Sequence, residues 1–445
     1  MKFPHFSPYR HFWAASTLVV GAAFPAQADL FENLKFSGIF ETQTALAFQG
    51  SALQKSDFVL TPELSFDITS NTRFTLIGRL RGDVKDRLEP GAPTDFNRAA
   101  MSGRAFLGDH VGAEIREAYI DTEIGNSYLR IGKQQVVWGQ ADGLKVLDVL
   151  NPQSFREFIL PEFEDSRIPL WSANAEIPIG DLTLQLVWIP DTTYDDIPEA
   201  GSSFAFTSPL IVPQAPPGVP VTFGPIDKPT NAFADSDVGI KLSAFLSGWD
   251  LTLNYAYHYF DRPVVRRSIT ETGVTIDQKY ERSHLVGGTF SNVFGAFTLR
   301  GELGLSTNRY FRTNDLTDID GVVRANDFSY VLGVDHSGFS NWFLSAQLFQ
   351  SFLSNHQPGM ARASVDTSMT FLARRDFMNE ALTAEALLIH SLSDGDGLLQ
   401  LSVQYEWKSN IRLKAGADVF YGKQAGLFGQ FQENDRITAG IEISF

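Results

Sequence analysis

The sequence, 445 residues long, contains no cysteine. That absence excludes a disulfide framework, a zinc–thiolate site and a cysteine nucleophile. Also missing beyond residue 28 is any apolar run of about 18 residues, the minimum for a helix that crosses a bilayer. A chain without such a run can cross a membrane only as a closed barrel, in which strand pairing satisfies every backbone polar group. Positive charge is in deficit: 36 Lys and Arg stand against 52 Asp and Glu, a formal net charge of −16. This balance argues against nucleic acid or an acidic surface as a partner. Methionine is scarce, with 5 residues, whereas phenylalanine reaches 37.

What is present begins with an export signature. Lys2 and Arg10 form a basic region, Phe12 to Ala26 an apolar stretch too short and interrupted to span, and Ala26-Gln27-Ala28 a small-x-small cleavage site. This order reads as a signal peptide over 1–28, cleaved after Ala28. A buried N-terminal helix, the competing reading, leaves the order unexplained. Residues 29–445 are then one domain, with a net charge of −18 once Lys2 and Arg10 are gone.

From residue 34 onward the dominant signal is alternation with period two. In 73–84, Phe74, Leu76, Leu80 and Val84 share one face, and Arg73, Thr75, Arg79, Arg81 and Asp83 share the other. In 296–308, Phe297, Leu299, Leu303 and Leu305 oppose Thr298, Arg300, Glu302, Ser306 and Asn308. The pattern predicts strands at 34–48, 57–69, 73–85, 111–123, 128–138, 170–178, 182–190, 236–246, 249–260, 280–292, 296–310, 327–336, 341–353, 366–376, 380–391, 397–407, 411–421 and 435–445. That is about 18 strands (16–18) of an all-β, antiparallel, up-and-down transmembrane barrel. Short connections such as Ser70-Asn71-Thr72 and Ser247-Gly248 carry turn chemistry, and they alternate with long ones, notably 86–110, 139–169, 191–235 and 261–279. Trp138, Trp171 and Trp188 are expected at the long-loop ends, and Trp249, Trp342 and Trp407 at the short-turn ends, as interfacial girdles. A soluble β-sandwich or propeller would not need these paired girdles.

The last residues, Gly440-Ile441-Glu442-Ile443-Ser444-Phe445, resemble the assembly signal of bacterial outer-membrane barrels. The resemblance implies that Phe445 is read by the barrel assembly machinery and that outer-membrane lipid surrounds the chain. The stretches 131–139 (Ile131-Gly132-Lys133 to Val137-Trp138-Gly139), 144–153 (Leu144-Lys145 to Pro152-Gln153), 155–158 (Phe155-Arg156-Glu157-Phe158) and 163–171 (Phe163-Glu164-Asp165-Ser166-Arg167 to Trp171) resemble a family of proteobacterial outer-membrane proteins of unknown function. Members are often encoded beside resistance-nodulation-division type exporters. That implies handling of a hydrophobic or lipid-like compound, with periplasmic or inner-membrane exporter components as partners.

The segment 139–169 interleaves charges with Val146, Leu147, Val149, Leu150, Phe155, Phe158, Ile159 and Leu160, which a solvated loop does not need. Two arrangements satisfy it: a constriction folded into the lumen, or a cap over the mouth or against a neighbouring subunit. Both make it an ordered element. The candidate constriction charges are Arg156, Glu157, Glu164, Asp165 and Arg167 on the segment, and Arg73, Arg79, Arg81, Arg300, Glu302, Arg412 and Lys414 on the wall. Neutralising Arg156 and Arg167 is expected to shift ion preference toward cations. No catalytic residue, cofactor or metal site is expected. His390-Ser391 does not complete a hydrolase pattern, and Asp318-Ile319-Asp320-Gly321 and Asp394-Gly395-Asp396-Gly397 are read as turns. Only Asp29 to Asn33 precede the first strand, which speaks against the N-terminal plug of a TonB-dependent receptor or the hatch of a fatty-acid transporter. The leading expectation is an outer-membrane channel for small solutes. A duct for a hydrophobic compound and a structural barrel are the alternatives, and oligomeric state carries no signal.

Overall fold

The computed structural model describes residues 33–49, 52–91, 95–213, 218–270 and 273–445; the expected signal peptide lies outside them. Eighteen antiparallel strands among the described residues form a closed barrel, from Lys35–Ala47 to Arg436–Ser444. Closure is by direct pairing of the first and last strands, with Thr42 opposite Ile441. It leaves neither strand with a free edge.

Alternation decides which way each side chain points. On Val322–His336, Phe328, Leu332 and Val334 are exposed on the outside, while Asp327, Gly333 and Asp335 are buried on the inside. Exposed Leu, Ile, Val and Phe recur around the barrel, from Ile39 on the first strand to Ile441 on the last. In water such a belt would be a liability; facing lipid it is the favourable side of the pleat. Trp407 and Trp342 stand exposed at the short-turn ends, and Trp188 at a long-loop end stacks on Phe233. Positive φ at both Ser247 (53°) and Gly248 (88°) gives the tight turn that joins Asp237–Leu246 to Trp249–Tyr259.

All eighteen expected strands are present, with three notable shifts. Leu53–Thr69 and Val322–His336 start four and five residues earlier than the pattern indicated. The strand expected over 128–138 ends at Gln134, after 8 residues. There the chain leaves the wall partway up and turns inward. Above it, the short strand Ala105–Leu107 pairs with Val111–Ala113 and fills the gap. Trp138 therefore does not belong to a lipid-facing girdle. It is 1% exposed inside the barrel, with its Nε1 donating to Gln185 at 2.9 Å. A separate three-stranded sheet, Val221–Asp227, Val264–Thr270 and Gly273–Lys279, is built from the outer connections and includes one parallel pair.

Candidate functional site

Of the two arrangements open for 139–169, the structure has the inward one. The segment leaves the wall after Gln134, runs across the lumen and rejoins the wall at Leu170. Two anchors fix it at opposite sides.

The first anchor is on Phe297–Arg312. Glu302, 2% exposed, points inward, and its carboxylate accepts the backbone N–H groups of Gln140, Ala141 (2.7 Å) and Leu147 (3.1 Å). Arg300, two residues earlier on the same face, pairs with Asp142 and with Asp335 (2.8 Å) and donates to the Gln140 carbonyl. Gln347 on the second strand over adds a bond to Asp142 at 2.7 Å. Arg300 lies only three residues from the short-turn end of its strand, so the segment reaches deep into the barrel. Apolar contacts reinforce this anchor. Leu147 sits over Gly287 and Gly304, a cross-strand pair, and Trp138 sits over Gly239. A Cβ at Gly287 would come 2.5 Å from Leu147 Cδ2, so the missing side chain is what admits the leucine. Val136, Leu150, Leu170, Val187, Ile189, Ala256 and Leu285 complete this cluster.

The second anchor is at the opposite wall. Arg156, 6% exposed, binds Asp57 (2.8 Å), Asp83 (3.2 Å) and Glu89 (2.8 Å). Glu157 accepts from Lys55 (2.6 Å) on Leu53–Thr69 and from Arg436 (2.8 Å) on the last strand. Arg436 is in turn paired with Asp418 at 2.7 Å. Buried charges are tolerable only when paired in this way, and removal of one partner is costly. Glu89, on the outer segment after Asp83, would be pushed up by burial. Arg104 and Arg156 overcome that and hold it at about 2.

The outer connections 86–91 with 95–104, 191–213 and 422–435 fold inward onto the same segment. Leu88, Phe155, Phe158, Phe204, Phe428 and Phe431 form an apolar core inside the barrel, against Ile389, Leu398 and Phe420 of the wall. Phe158 and Phe431 are 4.8 Å apart. Arg98 ties these connections together by binding both Glu114 and Asp196 at 2.7 Å. Asp195 accepts Gln153 N at 2.7 Å and Arg262 Nε at 3.0 Å, and burial raises its pKa against the arginine.

The expected constriction charges thus divide. Arg156, Glu157, Arg300 and Glu302 are brought together with the segment, but as buried anchors rather than as charges lining open water. Arg167 stays within the segment, on Asp148 at 2.8 Å. Arg156 is surrounded by three carboxylates, whereas Arg167 shares its one carboxylate, Asp148, with Lys145. Glu164 and Asp165 lie exposed on the helical turn Phe163–Ser166, beside exposed Glu162, with the Glu164 carbonyl held by Arg116 at 2.5 Å. Arg79 is buried on Glu114 at 2.6 Å. Arg73 pairs with Asp67 (2.7 Å) near the short-turn mouth, away from the segment. Lys414 bridges Glu442 (2.7 Å) and Glu41 (3.1 Å), and Arg412 binds Glu442 at 3.0 Å, on the wall beside the closing seam. Lys414 and Glu41 lie within electrostatic range of Glu162. Arg81 is brought into a side pocket of its own. The anchoring partners Lys55, Asp57, Glu89, Gln347 and Arg436 were not singled out from sequence. Glycines on an otherwise polar inner face, at 239, 287 and 304, were the available signal that something packs there.

Residues 82–445 match the family described as "Protein of unknown function (DUF1302)". Among curated proteins none matches the sequence. The fold is similar to that of OccAB2 of Acinetobacter baumannii, with TM-score 0.51 and 12% identity over 94% of this chain and 98% of that one. It is similar to that of OccK2 (OpdF) of Pseudomonas aeruginosa, solved in complex with glucuronate, with TM-score 0.50 and 12% identity over 93% and 98%. It is also similar to that of a BenF-like porin from Pseudomonas fluorescens Pf-5, with TM-score 0.50 and 11% identity over 93% and 98%. At these identities the likeness is one of fold.

Proposed function

The chain belongs to the DUF1302 family, and on the geometry of its barrel we propose that it is an outer-membrane, porin-like channel for small solutes, narrowed by the segment 139–169. The observation that carries this reading is the segment itself. It is an ordered chain crossing the lumen and held at both walls by paired charges, while Glu162, Glu164 and Asp165 are left exposed. A barrel of eighteen strands is too wide to be filled by its own side chains, so a folded-in segment sets the remaining aperture. The exposed acids give that aperture a preference for cations. Export under residues 1–28, reading of Phe445 by the assembly machinery and residence in outer-membrane lipid belong to the same proposal.

Planar-bilayer recording tests it. Deleting 145–165 should raise single-channel conductance and broaden solute passage without abolishing the barrel. Glu164→Gln with Asp165→Asn should move the reversal potential toward anion permeation. Absence of conductance in every form would overturn the channel reading. The phenylalanine core inside the lumen favours a second reading, a duct for a hydrophobic compound working with a resistance-nodulation-division type exporter. Those rings, however, are packed against one another and offer little surface to a cargo.

A further inference from the structure

Arg81 is an inward-facing wall arginine whose side chain has no partner among the described residues. Arg81 projects inward from Thr72–Asp83, between Arg79 and Asp83 on the same face. Its neighbours are all engaged: Arg79 by Glu114, Arg104 by Glu89 and Asp95, and Arg156 by Asp57, Asp83 and Glu89. The Arg81 backbone is paired with Val59 and Gly112 in the wall, but its side chain makes no hydrogen bond, ion pair or ring contact with any described residue. The nearby charges are Arg79 and Arg156, which repel it, and Asp57 and Glu89, which attract it from beyond ion-pair distance. Arg81 is half-buried and its nitrogens are not sealed from solvent, so its five donors stand available to a ligand with acceptors.

The space before it is defined. Arg79, Arg81, Arg104 and Arg156 line a pocket of about 40 Å³ between the wall and the outer segment. At roughly 10–15 Å³ per water molecule, that volume holds about three waters, or one planar three-atom head group. We propose that this side pocket is an anion-binding site whose ligand is the carboxylate of a small monoanionic solute, held by the Arg81 fork. A guanidinium matches a carboxylate with two parallel N–H···O bonds. The rim favours a single charge: Asp83, Asp86, Glu89, Asp109 and Glu114 also line the pocket, and they would repel a dianion such as phosphate. The pocket stands beside the lumen path, so the inference does not rest on the channel reading. A bound anion relieves the repulsion between Arg81 and Arg156 and so tightens the second anchor.

The test uses the full chain folded in detergent, titrated with acetate, benzoate, phosphate and chloride at constant ionic strength. Calorimetry and the midpoint of thermal unfolding are both read. The monocarboxylates should bind saturably and raise the midpoint, with phosphate weaker and chloride inert. Arg81→Ala should weaken carboxylate binding about tenfold to a hundredfold, as expected for loss of a charge-assisted pair. Arg81→Lys should fall between the two, and Arg87→Ala, an exposed neighbour, should bind as the unaltered chain does. Without carboxylate, Arg81→Ala should be at least as stable as the parent, because it removes an uncompensated charge. Undiminished carboxylate binding in Arg81→Ala would overturn the site, as would a loss of stability in that variant without ligand. Neither outcome depends on whether the barrel conducts.

Discussion

Replacing Glu302 by glutamine tests the deepest anchor with a change of a few atoms. Oε1 accepts Gln140 N–H and Ala141 N–H, and Oε2 accepts Leu147 N–H. Glutamine has one carbonyl oxygen, so its amide nitrogen must face one of these donors. The best orientation keeps the pair at 140 and 141 and strands Leu147 N–H. Losing one bond to a charged acceptor costs about 1.5–3 kcal/mol, and reducing the other two to neutral strength costs about 0.5–1 kcal/mol each. The total is roughly 3–5 kcal/mol. Leu147 and Trp138 remain in their glycine sockets, each worth about 1.5–3 kcal/mol of burial. The segment should therefore open locally over 139–146, between the two seated side chains, rather than leave the wall entirely. At about 1.4 kcal/mol per tenfold, the open population should rise by roughly two to three and a half orders of magnitude. Lys145, mostly buried between Asp148 and the Phe163 ring, is the trypsin site that reports it. Cleavage after Lys145 should accelerate, and single-channel traces should gain brief high-conductance excursions. Heat-modifiable migration of the barrel should be unchanged. Cleavage at the parental rate would refute the role given to the carboxylate.

Arg156→Ala leaves Asp83 buried without a cation and Asp57 with only Lys55 at 4.0 Å, and should destabilise the second anchor by about 3–5 kcal/mol, read as protease release of 139–169. A change in ion selectivity with the segment still protected would contradict it. Glu89 has a folded-state pKa of about 2 against an ordinary 4.5. Its contribution to holding 86–104 is thus fully present above about pH 4.5 and lost as pH falls toward 2. Trp171, whose indole donates to Met101 O at 3.0 Å, should change its emission across that window, and Glu89→Gln should abolish the acid step. Deleting Phe445 removes the ring that covers Gly38 beside Phe36, together with the final backbone pair to Gly38. Export to the periplasm should continue while the heat-modifiable, membrane-inserted form falls sharply.

The barrel was legible because its signal is local and repeated. Period two fixes which face of each strand meets lipid, and the spacing of turns fixes the count. The inward packing of 139–169 was half legible, since Leu147, Leu150 and Phe158 demanded a surface but did not say which. Arg156 meets Asp57 across 99 residues and Glu157 meets Arg436 across 279. Such pairings depend on where strands lie around a circumference, which alternation does not encode. Trp138 was misplaced for a related reason. Its neighbours alternate well enough to extend a strand, but Gly132, at φ 139° with the Ala118 carbonyl against the place of its missing side chain, marks where the wall ends shortly after. Arg81 was visible as an inward charge, but its lack of a partner is a property of the assembled lumen.

Glu157 grips the second strand through Lys55 and the last strand through Arg436, and the barrel's closing seam runs between them, along the first strand. This imposes an order of events on assembly. Until Arg436–Ser444 docks, Glu157 lacks the cation that pairs with its second oxygen, and drawing it out of water is correspondingly unfavourable. An open sheet thus keeps a wet interior, and the segment folds in only once the cylinder is sealed. The contact joins positions 279 residues apart, and such contacts form late because long loops must close first. The crossing segment is in this sense a latch that only a finished barrel can set, and protection of Lys145 from protease is a clock for the last step of folding.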